Sequence, residues 1–77
     1  MGGPKPTKVV NRIKDLRAAH DDLTQAELAE RLSVTRQTVI AIEQGRYSPS
    51  LEMAFQIAAV FGVGLDDVFQ YREGNDA

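Results

Sequence analysis

Between residues 8 and 71 the apolar positions fall at helical spacing in five separate stretches. In the first, Val9, Ile13 and Leu16 recur at i, i+4 and i+7 with Val10 beside them, which predicts a helix from Lys8 to about Ala19. Lys8, Arg12, Lys14 and Arg17 make the rest of its surface basic, and His20, Asp21 and Asp22 break the pattern. A capping box opens the second helix: Thr24 stands at the N-cap and Glu27 at the third helical position, so each side chain can bond the other's backbone N–H. Leu28, Ala29 and Leu32 supply its inward face, and the small Ala26 and Ala29 let another helix cross closely. Ser33 and Val34 form a tight turn, and Thr35 is a good N-cap for a third helix, from Arg36 to about Gln44, that Gly45 ends. The fourth helix begins near Ser50, with Ser48 as a competing N-cap that would put Pro49 in the first turn. Leu51, Ala54, Phe55, Ala58 and Phe61 keep its period, and Met53, Ile57 and Val60 widen its apolar arc, so it is expected to be the most buried helix, ending at Gly62. Leu65 to Tyr71 reads as a last short helix with Asp66 and Asp67 at its positive end. No strand pattern is visible. The expectation is an all-α, five-helix domain over residues 8–71, between a flexible N-terminal arm (1–7) and a flexible C-terminal tail (72–77).

The third stretch has two unlike faces. Val39 and Ile42 fall together with Thr38 at their flank, and these turn inward with Val34. Gln37, Ile40, Ala41 and Gln44 fall on the opposite side, and Arg36 lies at the edge near the N-terminus. A thin apolar stripe opposite a polar row suits a helix held on a small core and pushed into a nucleic-acid groove. Arg36 can fork onto guanine, Gln37 onto adenine, and Ile40 can meet a thymine methyl. Single exposed apolar residues are normal on any protein, so Ile40 gains meaning only from its neighbours.

Composition narrows the class. The chain has 77 residues, no cysteine and no tryptophan, which allows one core with no disulfide or cysteine–zinc staple. No apolar run approaches the roughly 18 residues that span a bilayer. The opening MGGPKPTK has no hydrophobic run and does not read as a secretory signal, so a cytoplasmic protein is expected. Net charge is −2, yet residues 1–50 carry eight Lys/Arg against six Asp/Glu, whereas residues 51–77 carry one Arg against five acids. The positive excess therefore lies with the half that holds the candidate reading helix. No catalytic constellation, Gly-rich phosphate loop or internal repeat is present. Asp21-Asp22 and Asp66-Asp67 stand at helix starts or breaks, where capping explains them, and His20 has no second His or Cys with which to share a metal. No enzyme activity, cofactor or metal is expected.

The stretches LTQAELAERL, SVTRQTV, IEQGRYSPSL and IAAVFGV with LDDVF resemble the lambda-repressor/Cro-type (Xre-like) helix-turn-helix transcriptional regulators over residues 8–71. The resemblance implies that Gln25 bonds a DNA phosphate, that Thr35, Arg36 and Gln37 open the recognition helix, and that Ile40 and Ala41 form its next outward turn. It implies that Gln44 lies near the DNA backbone and that Gly45, Arg46 and Tyr47 form a loop flanking phosphates. It also implies a partly buried salt bridge between Arg17 and Glu43, structural rather than functional. Two features depart from the family pattern. The segment from Arg17 to Leu23 is one residue longer than usual, and Ser33 stands where the family commonly has Gly.

Two functions follow as expectations. The first is a sequence-specific DNA-binding regulator, a repressor in type, acting as a homodimer on a two-fold operator. The second is a protein-interaction adaptor or antitoxin-like subunit using the same fold on an unidentified protein. Val63, Leu65, Val68, Phe69 and Tyr71 are more apolar side chains than a short last helix can turn inward, which points to a dimer interface. The alternative is that all five belong to the monomer core, with pairing only on DNA. The operator sequence and any effector are not legible.

Overall fold

Backbone N–H and C=O groups need partners, and the residues before the first helix find theirs in a strand. In the computed structural model, which describes residues 7–46 and 48–72, the order is β1 (Val9–Asn11), α1 (Ile13–Ala19), α2 (Gln25–Leu32), α3 (Arg36–Glu43), α4 (Leu51–Phe61), α5 (Leu65–Val68) and β2 (Phe69–Tyr71). The five expected helices are there. Two of their boundaries need correction. The first helix starts at Ile13 rather than Lys8, and the last stops at Val68 rather than Tyr71. The residues so released, in a chain expected to hold no strand, pair antiparallel, with Val9 opposite Tyr71, Val10 opposite Gln70 and Asn11 opposite Phe69. Arg12 N donates to Val68 O at 2.9 Å and Arg72 N to Lys8 O at 2.8 Å, closing the ladder at both ends. Three residues on each strand are too few for any period to show in the sequence.

Thr7, expected in the flexible arm, is tied in as well; the rest of that arm lies outside the described residues. Thr7 N donates to Gly45 O, and its hydroxyl meets Ser48 Oγ at 2.6 Å and accepts from Val9 N. Asn11 is a joint: its Oδ1 accepts from Ile13 N, which opens α1, while its Nδ2 donates to Ile42 O at 2.9 Å near the end of α3. An Asn two residues before Ile13 is a start signal of the kind that Asx turns give, and the apolar spacing that begins at Val9 masks it in the sequence.

The core gathers Ile13, Leu23, Leu28, Leu32, Val39, Ile42, Ile57, Phe61 and Val68 from all five helices and the loop before α2. α2, α3 and α4 are capped as expected by Thr24, Thr35 and Ser50. Three helices end alike. The residue in the left-handed conformation is Ser33, Gly45 and Gly62, and the next amide reaches back to Ala29 O, Ala41 O and Ala58 O respectively. Ser33 does this with φ 59°, without the freedom that glycine brings. Asp21 and Asp22 are also left-handed, which lets the long loop turn inside three residues to bring Leu23 into the core. His20 is exposed in that loop and stands edge-on to Phe61.

α4 differs from expectation in phase. Ala54, Ile57, Ala58 and Phe61 are buried, but Leu51 is 68% and Phe55 54% exposed. Its apolar residues cover most of the helix, so the period alone does not say which part of the arc turns inward. Val68, expected at a dimer interface, is fully buried and belongs to the monomer core. Val63 and Phe69 are half-buried against that core, and Tyr71 is exposed.

Candidate nucleic-acid interface

α2 and α3 form the compact unit on which the candidate interface rests. The Ser33 turn fixes the angle between them, and Thr35 starts α3 by accepting from Thr38 N at 3.2 Å. Val39 and Ile42 anchor α3 to the core, which leaves its other face outward. Thr35, Arg36, Gln37 and Gln44 are exposed, and Ile40 and Ala41 are half-buried on the same side, as the helical wheel requires. Arg46 is exposed in the loop after α3. Tyr47, expected beside it, lies outside the described residues.

Gln25, the first residue of α2, meets the start of α3. Its Nε2 donates to Glu43 Oε1 at 3.1 Å, and its Oε1 accepts from Arg36 Nη2 at 3.4 Å. Behind it, Arg17 of α1 grips Glu43 with two parallel bonds, Nε to Oε2 at 2.7 Å and Nη2 to Oε1 at 3.1 Å, while Nη1 holds Leu23 O. The bridge is partly buried, with side-chain exposures of 16% for Arg17 and 9% for Glu43. The resemblance pointed to Arg17 with Glu43. The link from Glu43 to Gln25 was missed, because it depends on how the start of α2 meets the end of α3.

Charge and geometry suit an anion here. An open cleft of about 470 Å³ lies between α1 and the start of α2 and reaches Arg36 of α3, with Lys14, Arg17 and Arg36 on its walls against the single acid Asp22. By helix geometry the amides of Gln25 and Ala26 have no intrahelical partner, and they face the positive end of the α2 dipole. Glu27 completes the capping box. The Thr24 backbone N–H, then the Thr24 hydroxyl, hold its carboxyl below the ordinary glutamate range. That contribution to folding is present above the ordinary glutamate value and is lost as pH falls through the lowered one.

A capped turn between two short helices, the second showing a polar row to solvent, defines a helix-turn-helix protein. The chain belongs to that family: the helix-turn-helix family model matches residues 13–68. It is 54% identical over 63 residues to an uncharacterized HTH-type transcriptional regulator of Methanocaldococcus jannaschii, across 82% of this chain and 94% of that one. It is 46% identical over 65 residues to the uncharacterized HTH-type transcriptional regulator YgzD of Bacillus subtilis, across 84% of this chain and 97% of the relative. The cryptic phage CTXphi transcriptional repressor RstR of Vibrio cholerae is 35% identical over 65 residues, and there 84% of this chain matches 58% of the repressor. Among solved structures, a candidate DNA-binding protein from Bacteroides fragilis superposes with a TM-score of 0.71 at 26% identity, over 80% of this chain and 98% of its own. The protein is a helix-turn-helix transcriptional regulator of the lambda-repressor and Cro type, with a DNA-binding fold that is not enzymatic. Among the described residues no helix is long and apolar enough to cross a membrane.

Proposed function

We propose that the protein represses transcription by reading a two-fold operator as a homodimer, with α3 of each copy in the major groove. The observation that carries this reading is the row Arg36, Gln37, Ile40 and Gln44, turned outward on a helix whose start is capped and whose other side is anchored. Arg36 and Gln37 would read base edges, Ile40 and Ala41 a thymine methyl, and Thr35, Gln44, Arg46 and Tyr47 the flanking backbone. Gln25 would bond a phosphate at the start of α2, where unpaired amides and the nearby cations favour one. Repression is supported by the name of the Vibrio relative. The work is done in the cytoplasm, where the genomes of its prokaryotic relatives lie.

For the dimer, the surface that the fold leaves apolar supports a contact through Leu51, Phe55, Leu65, Phe69 and Tyr71. A symmetric contact is isologous, and would set two recognition helices about 34 Å apart, one turn of DNA. The same exposed face supports the second reading, an adaptor that docks a different protein there.

Selection of duplexes from a random pool, followed by mobility shift at several salt concentrations, tests the DNA reading. A two-fold consensus and a steep fall of affinity with salt are expected. Arg36→Ala and Gln37→Ala should each cost about 1–3 kcal/mol and relax preference at one or two base pairs in each half-site. Unchanged affinity and preference in both variants would remove α3 from the groove.

A further inference from the structure

We propose that Glu43 is a positioning residue for base reading: it sets the orientation of the Gln25 amide and, through it, the resting place of Arg36. The proposal rests on the DNA reading of α3 above and adds to it a residue that touches no DNA.

The argument starts from what each group can do. A carboxylate only accepts hydrogen bonds, a guanidinium only donates, and an amide does both at opposite ends. Gln25 sits between Glu43 on one side and Arg36 on the other. With Glu43 ionised, the Gln25 nitrogen must face it and the Gln25 oxygen must face away. That oxygen is what Arg36 Nη2 meets at 3.4 Å. A flipped amide would set oxygen against carboxylate and NH2 against guanidinium, two contacts between like groups. Glu43 thereby decides that Gln25 shows an acceptor to the start of α3, and an acceptor holds an arginine there.

Glu43 imposes this by its charge: either carboxylate oxygen can accept from the Gln25 NH2, and neither can donate to the Gln25 oxygen. Arg17 takes both of its oxygens in a two-pronged grip, which fixes the plane of the carboxylate. One oxygen, Oε1, serves Arg17 and Gln25 together, each at 3.1 Å. Orientation is thus handed from Glu43 through Gln25 to the first exposed residue of α3. The last bond is long enough to yield when a guanine offers Arg36 two acceptors. Among the described residues the second N–H of Gln25 meets no acceptor, which leaves it to a phosphate. Holding Arg36 near its working place reduces the ordering that binding must otherwise supply.

The test separates this role from simple bracing of the fold. Glu43→Gln replaces the carboxylate with an amide that can present either end. Arg17→Met breaks the bridge but leaves the carboxylate to Gln25. Both should lower stability, and both are assayed well below their unfolding temperatures on the selected duplex and on its single-base variants. Glu43→Gln is expected to reduce preference at the base pair read by Arg36 by about threefold to tenfold, in the lower part of the range for coupled neighbours in one network. Arg17→Met should leave that preference within about twofold, and Glu43→Gln added to Arg36→Ala should change it no further. In the free protein, the Gln25 side-chain NH2 signals in NMR should show one downfield, protected proton that survives Arg17→Met and disappears in Glu43→Gln. If Glu43→Gln does not fold, the pair Arg17→Met with Glu43→Met gives an apolar replacement of the bridge and should lose preference in the same way. Preference unchanged in Glu43→Gln, lost equally in Arg17→Met, or lost again in the Arg36→Ala background overturns the proposal. A wild-type protein that selects no sequence overturns the DNA reading instead, and the Gln25 signals then still decide whether Glu43 orients the amide.

Discussion

Two faces of this small domain are built on opposite terms. On the face formed by the starts of α2 and α3, most side chains that reach solvent are polar and several are held: Gln25 by Glu43, Arg36 by Gln25, Thr35 by Thr38. On the face formed by α4, α5 and the strand pair, exposed side chains are large and apolar: Leu51, Phe55 and Tyr71, the last 64% exposed. Directional groups held in place suit a ligand that is itself a fixed pattern of donors and acceptors, as the edges of base pairs are. Apolar groups with no polar tether gain only by leaving water, which makes them useful against another protein surface and of little use against DNA. Asn11 joins the two faces, since its strand runs beside β2 and its side chain bonds the end of α3.

The largest expected effect tests where the apolar face ends and the core begins. Val68 lies between Leu65 and Phe69 in sequence yet is fully buried, and its carbonyl ties α5 to Arg12. Val68→Ala should destabilise the monomer by about 2–3 kcal/mol, the lost methyl groups plus the cavity left behind. Urea unfolding at a concentration where the protein is monomeric measures it. A change near zero would return Val68 to the surface and erase the boundary drawn here.

A smaller effect is expected from charging the face itself. Leu51→Lys with Phe55→Lys puts like charges into an isologous contact. Dimerisation should weaken by about tenfold or more, roughly 1.4 kcal/mol or above. Monomer stability should move by no more than about 0.5 kcal/mol, since both side chains already face solvent. Sedimentation equilibrium at micromolar protein reads the first quantity and urea unfolding the second. A clean monomer mass for the unaltered protein defeats the free dimer. A dimer indifferent to both lysines puts the contact on another surface.

The same division governs how much the amino-acid sequence disclosed. Around α2 and α3 the signals are local: Thr24 with Glu27, Thr35 before its helix, Gly45 after it. Each acts on backbone groups within a turn of itself, so a window of a few residues contains the cause. On the other face the causes are remote. Val9 to Asn11 become a strand only because Phe69 to Tyr71 arrive beside them, sixty positions later. The period puts Leu51 and Phe55 with Ala54, Ala58 and Phe61 because α4 is apolar over most of its girth, and only the packing of α2 and α5 chooses the buried arc. The Gln25 to Glu43 bond was hidden for the same reason, while Arg17 with Glu43 was legible only through family resemblance. For Asn11 a local signal did exist, and the apolar spacing of Val9 with Ile13 outweighed it.

The smallest effect concerns the turn that sets the polar face. Ser33 sits at φ 59°, where a side chain is strained and glycine is not. Ser33→Gly removes that strain, about 1 kcal/mol or slightly more for a left-handed residue. It also gives the unfolded chain more freedom, which takes back part of the gain. The net expectation is a stabilisation of about 0.5–1 kcal/mol, read as a shift of the urea midpoint at constant slope. DNA affinity and base preference should not move, because the backbone bonds of the turn, Ser33 N to Glu30 O and Val34 N to Ala29 O, need no side chain. Destabilisation, or altered base preference at full stability, would mean that the Ser33 hydroxyl itself helps to present α3.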